Sequence, residues 1–320
     1  MMMFLAMDFG GTFVKHCLMD AEGNISERGQ FPAPLSFREE FVNAVSTLYD
    51  RYRGQVQGLA ISMPGVLDSA SGYAYAAGAY SGILSKTNIY ELLKDAVDVP
   101  VSIENDAKAA ILAEAWLGAL KGCSGGAAVI IGSGLGGGII MDGKIRRGSH
   151  FASGEISGLM MESGNFSFDS IAGSRAGMTG FLVRVAQAKG MNPADFEISA
   201  FIQSPVREDP TKPRITGKEV FEWIEAGDEE ALAAYRSWID DLIMVIMNLK
   251  AVLDPEKIVI GGGVSRNPRL IKDLQEEFKK RMEPMKMFGM PDCDLEACRY
   301  TADANLAGAV YNWMQMYGRE

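Results

Sequence analysis

One arrangement recurs in this chain and restricts its fold more than any other feature. It is an apolar strand, a glycine corner, a second apolar strand and an Asp/Gly turn. Residues 3–7 are apolar and run into Asp8, Phe9, Gly10, Gly11 and Thr12. Residues 13–19 continue as a strand, closed by a turn over residues 20–24. The order returns further on. Residues 125–131 lead into the glycine-rich stretch 132–138, then Ile139, Ile140 and Met141, then Asp142 and Gly143. A shift of 122 positions lays Gly10 on Gly132, Leu18 on Ile140, Met19 on Met141 and Asp20 on Asp142. Two copies of one supersecondary unit are therefore expected.

Around these corners strands and helices alternate. Further strands are expected at 25–31, 56–62, 99–103 and 257–260. The spacing predicts helices over about 37–52, 88–97 and 107–120, the last stopped by Gly122, and over about 174–189, 195–203, 216–226, 228–252, 268–282 and 302–317. Residues 203–214, with three prolines, read as a surface excursion. At 48% hydrophobic and 22% charged, the 320 residues can fill one large domain or two ordinary lobes. Net charge is −10, so no long-range field draws in nucleic acid or an anionic membrane. No apolar run reaches the length of a membrane span. The start has no basic segment ahead of its apolar residues and reads as a buried strand rather than a leader, so a cytoplasmic protein is expected. Cys17, Cys123, Cys293 and Cys298 are scattered, which fits reduced thiols.

Three glycine turns, at 10–12, 132–138 and 261–263, end or join buried strands. Glycine lets backbone N–H groups approach an oxyanion closely, so such turns can cradle phosphate, although each alone is equally a plain hairpin. Gly132, Gly134 and Gly137 satisfy the dinucleotide pattern G-x-G-x-x-G. That pattern needs a helix to open after the turn, and here a strand follows, so a Rossmann site is not expected.

With these residues in hand, the chain resembles the ROK sugar kinases (repressor, open reading frame, kinase) of the actin/hexokinase-like superfamily. Residues 8–12 resemble the first phosphate loop, and Glu104, Asn105, Asp106 and Ala107 the E-N-D-A segment of the catalytic base. Residues 132–138 resemble the second phosphate loop, Gly154 and Glu155 the start of the G-E-x-G-H sugar motif, and residues 261–264 the adenosine motif. The resemblance implies an α/β, two-lobed actin-like ATPase (ribonuclease H-like) fold, with a duplicated β-meander/α core and a central cleft. One lobe would comprise 1–117 plus 302–320, the other 118–301.

The implied chemistry is ATP-dependent phosphorylation of a hexose or hexose derivative, glucose-like and at the 6-hydroxyl. Asp106 would be the general base, and by position it is equally a candidate cap for its helix. Asp8 would help hold Mg2+ through water. Gly10, Gly11, Thr12, Gly132, Ser133 and Gly134 would donate to the phosphates, and Gly262 and Gly263 would leave room for the adenosine. Lys15 reads as a solvated strand residue. Asn105, Asp106 and Glu155 would contact the sugar, with Gly65 and Asn88 as further candidates in loops facing the cleft. A homodimer is implied by family analogy.

Two departures stand out. Gly158 occupies the place of the motif's histidine, and no cysteine lies between Cys123 and Cys293, so the zinc site of many relatives is not expected. His150 lies near Glu155 but in a loop, where a histidine is ordinarily solvated. A pocket roomier at the sugar's anomeric end follows, open to a β-glucoside or an N-acylmannosamine. A catalytically weak sugar-binding relative is the alternative. A repressor would need an N-terminal helix-turn-helix, and the first strand starts by residue 3.

Overall fold

The computed structural model describes residues 2–192, 197–198, 214–300 and 303–318. The chain divides into two compact units: residues 1–122, 143–153 and 299–320 form the first, and residues 123–142 and 154–298 the second. In chain order the elements are β1 (Met3–Phe9), β2 (Phe13–Asp20), β3 (Ile25–Pro32), α1 (Arg38–Tyr52), β4 (Gly58–Met63), β5 (Val66–Asp68), β6 (Tyr73–Ala76), α2 (Ser81–Leu84), β7 (Thr87–Asn88), α3 (Ile89–Leu93), β8 (Val101–Asn105) and α4 (Asp106–Trp116). There follow β9 (Gly126–Ile131), β10 (Leu135–Met141), β11 (Lys144–Ile145), α5 (Ala172–Ala176), α6 (Met178–Ala188), β12 (Glu197–Ile198), β13 (Arg214–Ile215), α7 (Gly217–Glu225), α8 (Glu229–Leu253), β14 (Lys257–Gly261), α9 (Pro268–Met282), β15 (Asp294–Ala297) and α10 (Ala304–Tyr317).

The first unit is built on a sheet of order β3-β2-β1-β4-β8. β1, β2 and β3 form an antiparallel meander, and β4 and β8 run parallel to β1. β4 is buried along its whole length, as an interior parallel strand requires, whereas β3 at the edge has no fully buried residue. Side-chain alternation then sorts β1. Leu5, Met7 and Phe9 pack with Phe41, Val45 and Tyr49 of α1, while Phe4 and Ala6 face Ala110, Ala113, Leu306, Ala307 and Trp313 of α4 and α10. Asp8, two residues beyond Ala6, falls on the α10 side. α10 lies very close to α4: a Cβ on Gly308 would stand 1.7 Å from the Ala109 carbonyl oxygen. Trp313 of α10, 5% exposed, covers Gly58, and its indole Nε1 donates to the Pro100 carbonyl at 2.8 Å. Burial of one such side chain contributes about 2–3 kcal/mol.

In the second unit, β10-β9-β14-β15 repeat the pattern: an antiparallel pair, then two strands parallel to β9. The duplication holds with a slip. Phe9 pairs Val14 across the first corner, but Ile131 pairs Leu135 across the second, which is one residue shorter. The 122-residue shift therefore fits the first strand of the unit, and the second strand is displaced by one. The glycine turn is correspondingly confined to 132–134, and Gly136, Gly137 and Gly138 belong to β10. Gly137 is small for packing, since its Cβ would meet the Gly154 carbonyl oxygen at 2.7 Å.

The expected helix over 174–189 is broken at Gly177, whose extended backbone (φ −71°, ψ 166°) separates α5 from α6. The break lets Met178 and Thr179 N–H groups donate to the Gly132 and Ser133 carbonyls at 2.9 and 3.0 Å. Phe181 of α6 and Trp238 of α8 stack at 4.3 Å in the core. α4 ends at Trp116, short of Leu120, because the Glu114 carboxylate takes the Ala119 N–H at 2.7 Å and draws the chain out of the helix. α3 is likewise shorter than 88–97. The helix expected over 195–203 falls mostly outside the described residues, and its Glu197 and Ile198 instead pair as a strand with Arg214 and Ile215. The excursion at 203–214 lies outside the described residues apart from Arg214, as do residues 301 and 302. Cys17, Cys123, Cys293 and Cys298 form no disulfide. Among the described residues no helix is long and apolar enough to cross a membrane.

Candidate active site

In the first unit, Asp8 at the end of β1 is in register with Ser62 of β4, and Ser62 with Glu104 of β8. These three polar residues form a row on the sheet face that α10 covers. Ser62 Oγ donates to Asp8 Oδ1 at 3.0 Å and Asn305 Nδ2 donates to the same oxygen at 3.1 Å. Burial pushes the Asp8 carboxyl above its ordinary pKa and the negative charge of Asp106 adds to this, against the pull of the Asn305 and Ser62 hydrogen bonds. Two carboxylates that share a field suit a hard cation held through oxygen ligands.

The corner after β1 is narrow. Gly10 N–H donates to the Phe13 carbonyl at 3.1 Å, and a Cβ on Gly10 would lie 2.9 Å from that oxygen. Tyr80 Oη donates to the Gly10 carbonyl at 2.7 Å and fixes the corner from behind. Gly11 and Thr12 are exposed. Lys15 is half-buried opposite Asp8 on β2.

Asn105 ends β8 and caps α4: its Oδ1 accepts from Lys108 N–H at 3.1 Å and its Nδ2 donates to the Gly65 carbonyl at 2.9 Å. Asp106 is the first residue of the helix, and its Oδ1 accepts from Ala107 N–H at 2.8 Å. The cap is thus Asn105, and Asp106 stands at the positive end of the helix dipole. Below them Glu104 is fully buried. Its Oε1 accepts from Asn105 N–H at 2.9 Å, and its Oε2 takes Arg147 Nε at 3.0 Å and Nη2 at 2.7 Å. Arg147 Nη2 also donates to Asn312 Oδ1 of α10 at 2.7 Å.

Gly65 has φ +130°, and a Cβ there would meet the Ala76 carbonyl oxygen at 2.1 Å, so only glycine fits. Asn88 caps α3 by accepting from Glu91 N–H at 3.1 Å and donates to the Ser71 carbonyl at 2.9 Å, so both ends of its amide serve its own hairpin.

The second unit carries the remaining sequence candidates. Gly132 N–H donates to the Gly134 carbonyl at 3.0 Å, and the start of α6 holds this turn by the two bonds described above. Gly177 backs it: a Cβ there would lie 2.4 Å from the Ser133 carbonyl oxygen. Gly262 (φ +92°) lies against β9, where a Cβ would stand 2.0 Å from the Ile131 carbonyl oxygen. The 261–263 corner therefore adjoins the 132–134 turn. Gly263 is exposed, with nothing within 4 Å of a built Cβ. Glu155 is exposed after Gly154, and so is Gly158. His150 is exposed in the first unit. Among the described residues no three His, Cys, Asp or Glu side chains converge as a metal cluster.

Sequence reasoning missed Ser62, Tyr80, Arg147, Gly177 and Asn305, and left Glu104 without a role. The strand alternation of β4 carried a signal for Ser62, a lone hydroxyl on a buried face. Asn305 and Arg147 are brought in by tertiary packing alone.

The chain is 29% identical over 321 residues to a β-glucoside kinase of Listeria innocua serovar 6a, covering 99% of each. It is 29% identical over 289 residues to a glucokinase of Halalkalibacterium halodurans, covering 86% of this chain and 85% of that one. A solved ROK family protein from Streptococcus pneumoniae TIGR4, in complex with sucrose, matches with TM-score 0.82 and 25% identity over 98% of both chains. The mixed sheets and flanking helices of this chain are those of the actin-like ATPase fold. The ROK family model matches residues 4–316, and the chain belongs to the ROK family.

Proposed function

We propose that this protein transfers the γ-phosphoryl group of ATP to a hydroxyl of a hexose or hexose derivative, glucose-like and at the 6-position, with Asp106 as general base. The observation that carries the assignment is the division of labour at the head of α4: Asn105 caps the helix, so Asp106 is not needed as its cap. The helix dipole favours the ionised form of a carboxylate there, ready to accept the hydroxyl proton as the alcohol oxygen attacks phosphorus. Family membership and the relatives named as β-glucoside kinase and glucokinase support the same reaction.

Asp8, with one oxygen held by Ser62 and Asn305, would hold Mg2+ through water. A magnesium ion bound with ATP neutralises charge on the phosphates. Gly11, Thr12, Ser133 and Gly134 are the backbone and hydroxyl donors for those phosphates, while Gly10 and Gly132, whose N–H groups close their own turns, keep the two corners narrow. Gly262 and Gly263 leave a bare backbone face for the adenosine. Asn105 and Glu155 are the sugar contacts, Asn105 through the amide hydrogen that Gly65 does not take. A cytoplasmic homodimer without zinc completes the assignment.

Gly158 in place of the motif's histidine favours an acceptor larger than glucose, a β-glucoside or an N-acylmannosamine. The test is a coupled ADP-release assay across glucose, β-glucosides and N-acyl sugars, with Asp106→Asn beside the wild type. A variant that turns over normally would remove Asp106 as base. Wild-type binding without turnover would favour a weak sugar-binding protein.

A further inference from the structure

Within the first unit a chain of contacts leads from Asn105 to a pair of aromatic rings. Asn105 Nδ2 holds the Gly65 carbonyl, and Gly65 lies directly against Ala76 of β6. The neighbour of Ala76 is Tyr75, whose ring stacks on Phe151 at 5.6 Å and 22° and meets Tyr73 edge-on at 4.9 Å. Tyr75 is nevertheless 51% exposed. Phe151 is tied to the same place from the other side: it lies four residues beyond Arg147, which grips Glu104 next to Asn105, and Arg147 carbonyl accepts from Ser153 N–H at 3.1 Å. Both arms therefore start at neighbouring residues, Asn105 and Glu104, and end at one aromatic stack.

Phe151 also has φ +61°, a left-handed backbone that a bulky side chain rarely adopts. Such a conformation is sterically costly and persists only where the surrounding structure holds it in place. The stack does not fill a core. It faces outward from β6, on the side opposite the buried Ala74.

We propose that Tyr75 and Phe151 form a subsite for a second ring carried by the sugar substrate, a flat apolar ring face such as an aromatic aglycone or a further pyranose. The proposal rests on the kinase assignment above and deepens it, by making a ring-bearing glycoside the acceptor. Aromatic faces pack against the apolar face of such a ring while its polar edge stays in water.

The experiment measures kcat/KM with ATP for phenyl β-glucoside, cellobiose and glucose. Tyr75→Ala should lower the glycoside-to-glucose ratio about five- to tenfold, the range expected for loss of one ring contact, and Tyr75→Phe should restore it. A loss confined to phenyl β-glucoside assigns an aromatic aglycone, and a loss on both assigns a pyranose as well. A Tyr75→Ala ratio within about twofold of wild type overturns the subsite, as does a wild type that accepts glucose and neither glycoside. If no sugar is phosphorylated, the kinase assignment fails. Calorimetric binding of phenyl β-glucoside then decides the subsite separately: weakening by Tyr75→Ala supports it, and equal binding by both proteins, or by neither, overturns it.

Discussion

Asn305, in the first turn of the last helix, donates its amide to Asp8 Oδ1 at 3.1 Å, joining two residues 297 positions apart at the end of the first strand. Burial raises the Asp8 carboxyl, so the folded state holds its proton to higher pH than the unfolded chain does. Stability then falls as pH rises from the unfolded pKa through the folded one, and at neutral pH ionised Asp8 is a cost to the fold. Asp8→Asn keeps an acceptor for Ser62 and Asn305 and removes that cost. It should unfold at higher temperature than wild type near neutral pH, with the difference shrinking on acidification. Turnover should drop about 100-fold or more, in line with loss of the carboxylate assigned to hold the magnesium ion that neutralises the phosphates. Thermal melts across pH and a coupled assay check both parts. A variant less stable than wild type at neutral pH would refute the burial cost assigned to this carboxylate.

Asn105 and Asp106 should separate stability from chemistry. Asn105→Ala removes the cap and the Gly65 bond and should cost about 1–2 kcal/mol in urea unfolding. Asp106→Asn leaves the cap in place and should stay within about 0.5 kcal/mol of wild type while kcat falls about 10²- to 10⁴-fold. The opposite ranking would make Asp106 structural.

Much of this was legible in the sequence because the signals were local. The repeated strand–glycine–strand unit gave the two sheets, and residues 8–12, 104–107 and 132–134 lie at strand ends or corners as their motifs require. What was hidden depends on contacts distant in sequence. The break at Gly177 is invisible to helical periodicity, because it exists to satisfy carbonyls of Gly132 and Ser133 some 45 residues away. Gly136–Gly138 looked like loop because glycine weakens a strand, yet they lie in β10, and at Gly137 tight packing against Gly154 and Ile156 demands glycine. Neither Asn88 nor Asn105 could be told from a ligand contact until their capping bonds were seen.

Glu104 and Arg147 form a buried ion pair beneath the candidate base, Glu104 fully enclosed and Arg147 partly open. Glu104→Gln strands the guanidinium and should destabilise by about 3 kcal/mol, whereas Glu104→Gln combined with Arg147→Met should recover a large part of that loss. Chemical denaturation of the single and double variants checks this. Equal losses in both would mean that the pair is not the stabilising element.

Gly262 and Gly263 are adjacent and should respond oppositely to alanine. At Gly262 the backbone is left-handed and a Cβ would stand 2.0 Å from the Ile131 carbonyl oxygen, so Gly262→Ala must move β9 or the corner and should cost about 2–4 kcal/mol. At Gly263 a Cβ meets nothing within 4 Å, so Gly263→Ala should stay within about 0.5 kcal/mol of wild type. The same open space is where the adenosine is assigned. Gly263→Ala should therefore raise the KM for ATP several-fold while the KM for sugar moves little, because the added methyl projects only toward the nucleotide. Unfolding curves and two-substrate kinetics on the two variants give the comparison. An unchanged KM for ATP in Gly263→Ala would place the adenosine elsewhere.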